Sequence, residues 1–186
     1  MPQVRMDIES VVVGNGPVSS MLVLRPRDAK GDTAGKQLPI RIGVVEATQI
    51  SAGVAAEKGA RPMTHDLLRA TIDRLGATVS GVSIDRVEGT TFYATIDLLT
   101  ADGEHLALDA RPSDAVALAV RTHSPVYAST DVIARASYPS FSSIKRDERE
   151  REAERFHEFV NGLSPEDFNV SGRDGGESRG DSRQAR

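Results

Sequence analysis

Three stretches of alternating apolar residues, 78–87, 91–100 and 104–110, are separated only by tight turns, and this limits the fold more than any other feature of the chain. Glu88-Gly89-Thr90 and Ala101-Asp102-Gly103 join them, and connections this short read as hairpins. In the middle strand Phe92, Ala94, Ile96 and Leu98 share one face. In the last, Leu106, Leu108 and Ala110 share a face, which leaves His105 and Asp109 on the other.

The remaining segments are less uniform. Val4, Met6 and Ile8 alternate with polar residues and Val11-Val12-Val13 follows, so residues 4–13 read as a strand. Gly14-Asn15-Gly16-Pro17 is a turn, with Ser20 to Arg25 returning. After a polar loop over 26–36, Leu38-Pro39-Ile40-Arg41-Ile42 forms a third strand whose proline marks an edge or a strand start. Val44 to Glu57 has a helical pattern with Val45, Ile50 and Val54 among alanines, ended by Gly59. Thr64 to Leu75 is a second helix, with Leu67, Leu68, Ile72 and Leu75 as its apolar stripe and Gly76 as its stop. Ser113 to Thr122, nearly all Ala, Val and Leu, reads as a short buried helix. Val126-Tyr127-Ala128 reads as a short final strand and Asp131 to Arg135 as a last helical turn.

Hairpins interspersed with three helices predict an α+β domain with a mixed, mainly antiparallel sheet. Uniform βαβ alternation is missing, which argues against doubly wound and barrel folds; neither G-x-G-x-x-G nor a Walker Gly-Lys-Ser/Thr occurs. Composition shifts near Ser137. The expected organisation is a domain over 1–136, a charged helical extension over 137–168 and a disordered tail over 169–186. In the extension, acids and bases alternate from Lys145 to Arg155, then Phe156, Phe159, Val160 and Leu163 recur at helical spacing.

Charge and composition narrow the function classes. A formal net charge of −4 argues against holding nucleic acid by bulk electrostatics, so contact with a polyanion would rest on a few arginines or bound cations. Three Tyr, five Phe and no Trp, scattered along the chain, do not make a base-stacking platform. With no cysteine there is no disulfide, thiolate nucleophile or Cys-based zinc site, which fits a reducing cytosol. No stretch approaches the roughly 20 apolar residues of a membrane span and no signal-like run opens the chain, so a cytoplasmic protein without membrane association is expected.

Chemistry concentrates at two corners. Asp109-Ala110-Arg111-Pro112-Ser113-Asp114 sits where a strand gives way to a helix, and Arg61-Pro62-Met63-Thr64-His65-Asp66 repeats the pattern upstream. In each, Arg-Pro imposes an extended approach, a hydroxyl residue (Thr64, Ser113) is placed to cap the helix, and an Asp falls in the first turn. Helix N-termini beside arginine attract phosphate, and converging carboxylates attract a metal. Phosphate chemistry is the first expectation.

Taken in order, Leu38-Pro39-Ile40-x-Ile42-Gly43 with Glu46-Ala47, Arg61-Pro62-x-Thr64-His65-Asp66-Leu67, Phe92-Tyr93-Ala94 and Asp109-Ala110-Arg111-Pro112-Ser113-Asp114-Ala115 resemble the bifunctional nuclease domain family. The resemblance spans roughly residues 4–135. It implies an α+β domain, nuclease activity on both DNA and RNA, and self-association into a homo-oligomer.

Hydrolysis of a phosphodiester needs a positioned water, stabilised charge on the non-bridging oxygens and help for the leaving oxygen. Glu46, Asp66, Asp109 and Asp114 are candidate ligands for Mg²⁺ or Mn²⁺, and no organic cofactor is expected. Arg61, Arg111 and Ser113 are candidates for gripping substrate, and His65, with Asp66, Asp109 and Asp114, for catalysis. Each has a reading without a ligand. Asp66, Asp114 and Glu46 suit first helical turns electrostatically, Asp109 and Arg111 can pair with each other, and His65 can be a surface or capping residue. His105, His123 and His157 show no metal spacing. An oligomeric scaffold or regulator, or a sensor of small anions or nucleotides, therefore stands beside the nuclease.

Overall fold

The computed structural model describes residues 2–14, 19–56 and 59–139. The expected turn at 14–17 therefore falls largely outside the described residues, as do the C-terminal helix and tail. Strands β1 (Gln3–Val12), β2 (Ser20–Pro26) and β3 (Lys36–Ile42) form one antiparallel meander. A second consists of β4 (Thr78–Glu88), β5 (Thr91–Leu99) and β6 (His105–Ala110). Gly89 and Gly103 take positive φ, 59° and 82°, at its two turns, a conformation open to glycine without strain.

The meanders are joined by β7 (Val126–Ser129), which pairs parallel with β4 and antiparallel with β1. This segment, expected to be the final strand, is thus the seam of one eight-stranded mixed sheet, ordered β6-β5-β4-β7-β1-β2-β3-β8. Hydroxyls secure the seam. Ser124 donates to the Val79 carbonyl at 2.8 Å and Ser129 to the Asp85 carbonyl at 2.9 Å. The final strand is the two-residue β8 (Tyr138–Pro139), which covers only Lys36 and Gln37 of β3. Pro39 lies beyond that cover, where its missing N–H costs no ladder bond, in keeping with the expected edge position.

Helix α1 is Val44–Val54, α2 Thr64–Arg74, α3 Pro112–Thr122 and α4 Thr130–Ala136. α3 is the central one, packing on β4 and β5 with α1 and α2 on its flanks. Ala115, Val116, Ala117 and Leu118 are wholly buried, as their composition predicts. Small residues there let the helix lie close to the sheet.

Several local expectations are corrected. The last helical turn is a full fourth helix, α4, capped by the Ser129 hydroxyl, which accepts from the Val132 N–H. α1 ends at Val54, before Gly59, and buries Ala47 and Ile50 while Val45 and Val54 face outward. On α2 the inner face is His65 and Ile72; Leu67, Leu68 and Leu75 are 61%, 38% and 79% exposed. The expected leucine stripe is thus not the buried one, because α2 contacts α3 along the His65 side.

Neither hydroxyl residue caps its helix. The N-caps are Met63 and Arg111, so Thr64 and Pro112 are already helical and Ser113 lies buried in the first turn. Pro112 explains the offset in α3, since its fixed φ and absent N–H suit the first helical position. In α2, Asp66 takes over, accepting the Met63 N–H at 2.9 Å. No helix among the described residues is long and apolar enough to cross a membrane.

Candidate functional site

The first turns of three helices meet at one place. α1 opens after Gly43, and a Cβ there would collide with the Glu46 carboxylate. Glu46 can therefore fold back over its own helix start. α3 opens at Arg111, held extended by Pro112. The Arg111 guanidinium donates from Nε to Asp114 Oδ2 at 2.8 Å, from Nη2 to Asp114 Oδ1 at 3.3 Å, and from Nη1 to Glu46 Oε1 at 3.1 Å. Hydrogen bonding to Asp114, reinforced by Glu46, raises the Arg111 pKa above its ordinary value. The charge is permanent. From α2, His65 brings Nε2 to 3.2 Å from Asp114 Oδ1.

Glu46, Arg111, Asp114 and His65 thus form one continuous polar chain drawn from three helices. His65 is buried, against its reading as a surface or capping residue, and its Nδ1 has no partner among the described residues. Arg111 is the opposite case: its side chain is 67% exposed although carboxylates hold it on two sides. It stands on the rim between two hollows, each of about 600 Å³, that also share Thr91 and Phe92. The first is bordered by the hydroxyl residues Ser19, Thr90 and Ser113 and by Arg41 of β3. The other is bounded by His65, Leu68, Tyr93, Leu108 and Asp114.

Asp66 belongs to a different assembly. Its Oδ1 accepts from Arg121 Nε at 2.7 Å while Oδ2 holds the Met63 N–H. That backbone bond, with help from Arg121, lowers the Asp66 pKa. Arg121 is buried and also donates from Nη1 to the Gln49 carbonyl at 3.0 Å and the Ala117 carbonyl at 2.8 Å. One guanidinium therefore ties together α1, α2 and α3. Sequence reading passed over it, although a lone arginine in an alanine-rich buried helix demands a counter-charge elsewhere.

The other two candidates stand apart. Asp109 borders the second hollow through its strand, yet the alternation of β6 sets its side chain on the face of Thr95, opposite to that of Leu108. Arg61 is exposed ahead of α2 and borders neither hollow.

This arrangement bears on the expected metal. Among the described residues no three His, Asp or Glu side chains gather as a metal-holding group. Glu46 and Asp114 meet on a guanidinium that already supplies positive charge, Asp66 is committed to Arg121 and Met63, and Asp109 faces elsewhere. As folded, the four carboxylates do not fit one Mg²⁺ or Mn²⁺.

Comparison with known proteins accords with the motifs. Two uncharacterized proteins of Mycobacterium tuberculosis, from strains CDC 1551 / Oshkosh and ATCC 25618 / H37Rv, are each 38% identical over 153 residues, covering 80% of this chain and 89% of their own length. The family model for the bifunctional nuclease domain matches residues 27–140, which include α1, α2, α3 and every residue of the polar chain. The chain belongs to the bifunctional nuclease domain family.

Proposed function

We propose that the chain is a nuclease that hydrolyses phosphodiester bonds of DNA and RNA at the Arg111 rim, working in the cytoplasm. The observation that carries this is the guanidinium itself: solvent-facing, fixed in direction by Glu46 and Asp114, and flanked by hollows wide enough for a nucleotide. A preset donor of this kind meets the charge that grows on the non-bridging oxygens without reorganising during the reaction. Phosphate would lie toward the first hollow, which the hydroxyl residues Thr90 and Ser113 border beside Arg111.

The proton steps fall to His65 and Asp114. Asp114 fixes the imidazole through Nε2, as a carboxylate does when it orients a histidine base. His65 borders the second hollow, which places it to exchange a proton with a group bound there. Two carboxylates around one guanidinium leave the rim with excess negative charge, so substrate must displace one of them from Arg111. That makes for modest affinity.

The test is cleavage of supercoiled plasmid and of a structured RNA by the purified full chain, with and without chelator. Arg111→Gln should keep the fold by circular dichroism and lose about 10²–10³-fold in rate, the usual effect of deleting one charge-stabilising donor. Undiminished cleavage by both Arg111→Gln and Asp114→Asn would assign the activity to a contaminant and defeat the proposal.

One observation favours a second reading. Glu46, Asp66 and Asp114 all have partners inside the fold and lie in first helical turns, where a carboxylate is favourable without any ligand. The same corners then serve a non-catalytic scaffold or an anion sensor. Saturable binding of a nucleotide that depends on Arg111, with no turnover, would select the sensor.

A further inference from the structure

The second hollow differs in kind from the first. Its floor is the sheet: Phe92 and Ile96 of β5 share a face, and Leu108 of β6 pairs directly with Ile96, which sets the three side chains on one surface. Leu68 of α2, one helical turn beyond His65, borders the same hollow from the helix side. Leu68 and Leu108 are 38% and 45% exposed, so apolar area on both sides is left open to water. The polar chain of Arg111, Asp114 and His65 closes one end.

A ligand whose phosphate sits on Arg111 has the rest of its structure within reach of this hollow, because that residue borders both. At about 600 Å³ the space is of the size that encloses small organic ligands. Its sides suit a flat apolar ring, and Phe92 offers an aromatic face to such a ring. Its polar end suits N–H groups on the ring. The Asp114 carboxylate accepts from Arg111 and His65 and still has acceptor capacity. A nucleobase combines these properties. An acyl chain lacks the N–H groups, and a sugar lacks the flat apolar face.

We infer that the second hollow seats one unpaired nucleobase beside the phosphate held at Arg111, with the ring against Phe92 and flanked by Leu68 and Leu108. This rests on the reading of the Arg111 rim as the phosphate site of a nuclease. It narrows the substrate class. A base inside a duplex is stacked and paired, so it reaches such a seat only by leaving the helix. Single-stranded DNA and RNA present bases without that cost, and every base has a face to stack. A seat for one base is also within the means of a chain whose scattered aromatic residues make no platform for several.

Binding measured without turnover separates this inference from the nuclease reading. By NMR titration of the full chain, adenosine 5′-monophosphate should bind about tenfold more tightly than ribose 5-phosphate, which carries the same phosphate and no base. Leu68→Ser combined with Leu108→Thr should abolish that preference; Arg111→Gln should weaken both ligands and keep it. Because the chain has no tryptophan, Leu68→Trp puts a single fluorophore at the hollow, which the nucleotide should quench and octyl phosphate should not. In cleavage, a single-stranded oligonucleotide should be cut about tenfold faster than the same strand annealed to its complement. Equal affinity for the two phosphates overturns the inference, and does so without touching the nuclease reading where cleavage still requires Arg111. A preference that survives both leucine changes, equal quenching by octyl phosphate, or equal cleavage of the duplex overturns it as well. A nucleotide preference in a chain whose cleavage ignores Arg111 defeats the nuclease reading alone. If the leucine pair does not fold, quenching in Leu68→Trp decides.

Discussion

Replacing Asp66 by alanine removes the counter-charge of Arg121, the guanidinium that ties α1, α2 and α3 together. The Arg121 side chain is 6% exposed and that of Asp66 is 40% exposed, so the two partners do not lose equally. Without Asp66 a buried guanidinium keeps the Gln49 and Ala117 carbonyls but loses its counter-charge. Breaking a fully buried pair this way costs about 3–5 kcal/mol, and the partial exposure of Asp66 brings that down to about 2 kcal/mol. Asp66 also accepts the Met63 N–H, and losing that cap adds about 1 kcal/mol. The total expected for Asp66→Ala is about 3 kcal/mol. Arg121→Met should cost less, about 1–2 kcal/mol, because the remaining carboxylate is partly hydrated and still caps α2 while the methionine fills the space.

Urea unfolding at pH 7 gives both values and, with the double variant, their coupling. The pH dependence has a definite sign. The folded-state pKa of Asp66 lies below its ordinary 3.8, so its contribution is present above that value and is lost as pH falls through the lower, folded value. The gap between wild type and Asp66→Ala should therefore narrow at pH 3. A cost below 0.5 kcal/mol, roughly the level of an ordinary surface change, or a larger cost for Arg121→Met than for Asp66→Ala, would refute the reasoning.

Other perturbations test the frame around the site. Leu118→Ala removes a wholly buried side chain between sheet and helices and should cost about 2–5 kcal/mol, measured by denaturant unfolding. Ser129→Ala removes both the α4 cap and the bond to the Asp85 carbonyl; about 1–2 kcal/mol is expected, with faster amide exchange confined to α4 and the β7 seam.

Local pattern went far in the meanders. Alternation and glycine turns placed all six meander strands to within two residues, and Pro39, read as an edge or a strand start, falls where β8 no longer covers β3. Pattern failed on α2, where four apolar residues read as an inward stripe. A helix buries whichever side its neighbours touch, and here the neighbour is α3, reached through His65 and Asp114, forty-nine residues apart in sequence. The helix caps were misplaced for a similar reason: Ser and Thr are good caps in general, but the proline after Arg111 had already settled where α3 starts.

The site was legible as a set of residue types and not as a set of partners. Glu46, His65, Arg111 and Asp114 were all marked as candidates, and the fold brings these four together. Asp66 and Asp109 were marked on equal grounds and went elsewhere, one to a buried arginine and one to the far face of an edge strand.

From sequence alone came the class of fold, the family, and the chemistry concentrated at strand-to-helix corners, because these depend on periodicity and on residues adjacent in the chain. Tertiary structure alone decided which carboxylate answers which guanidinium, that β7 joins two meanders into one sheet, and the order of the strands across it. Those outcomes turn on contacts between segments tens of residues apart, where desolvation and geometry select one partner among several chemically equivalent ones.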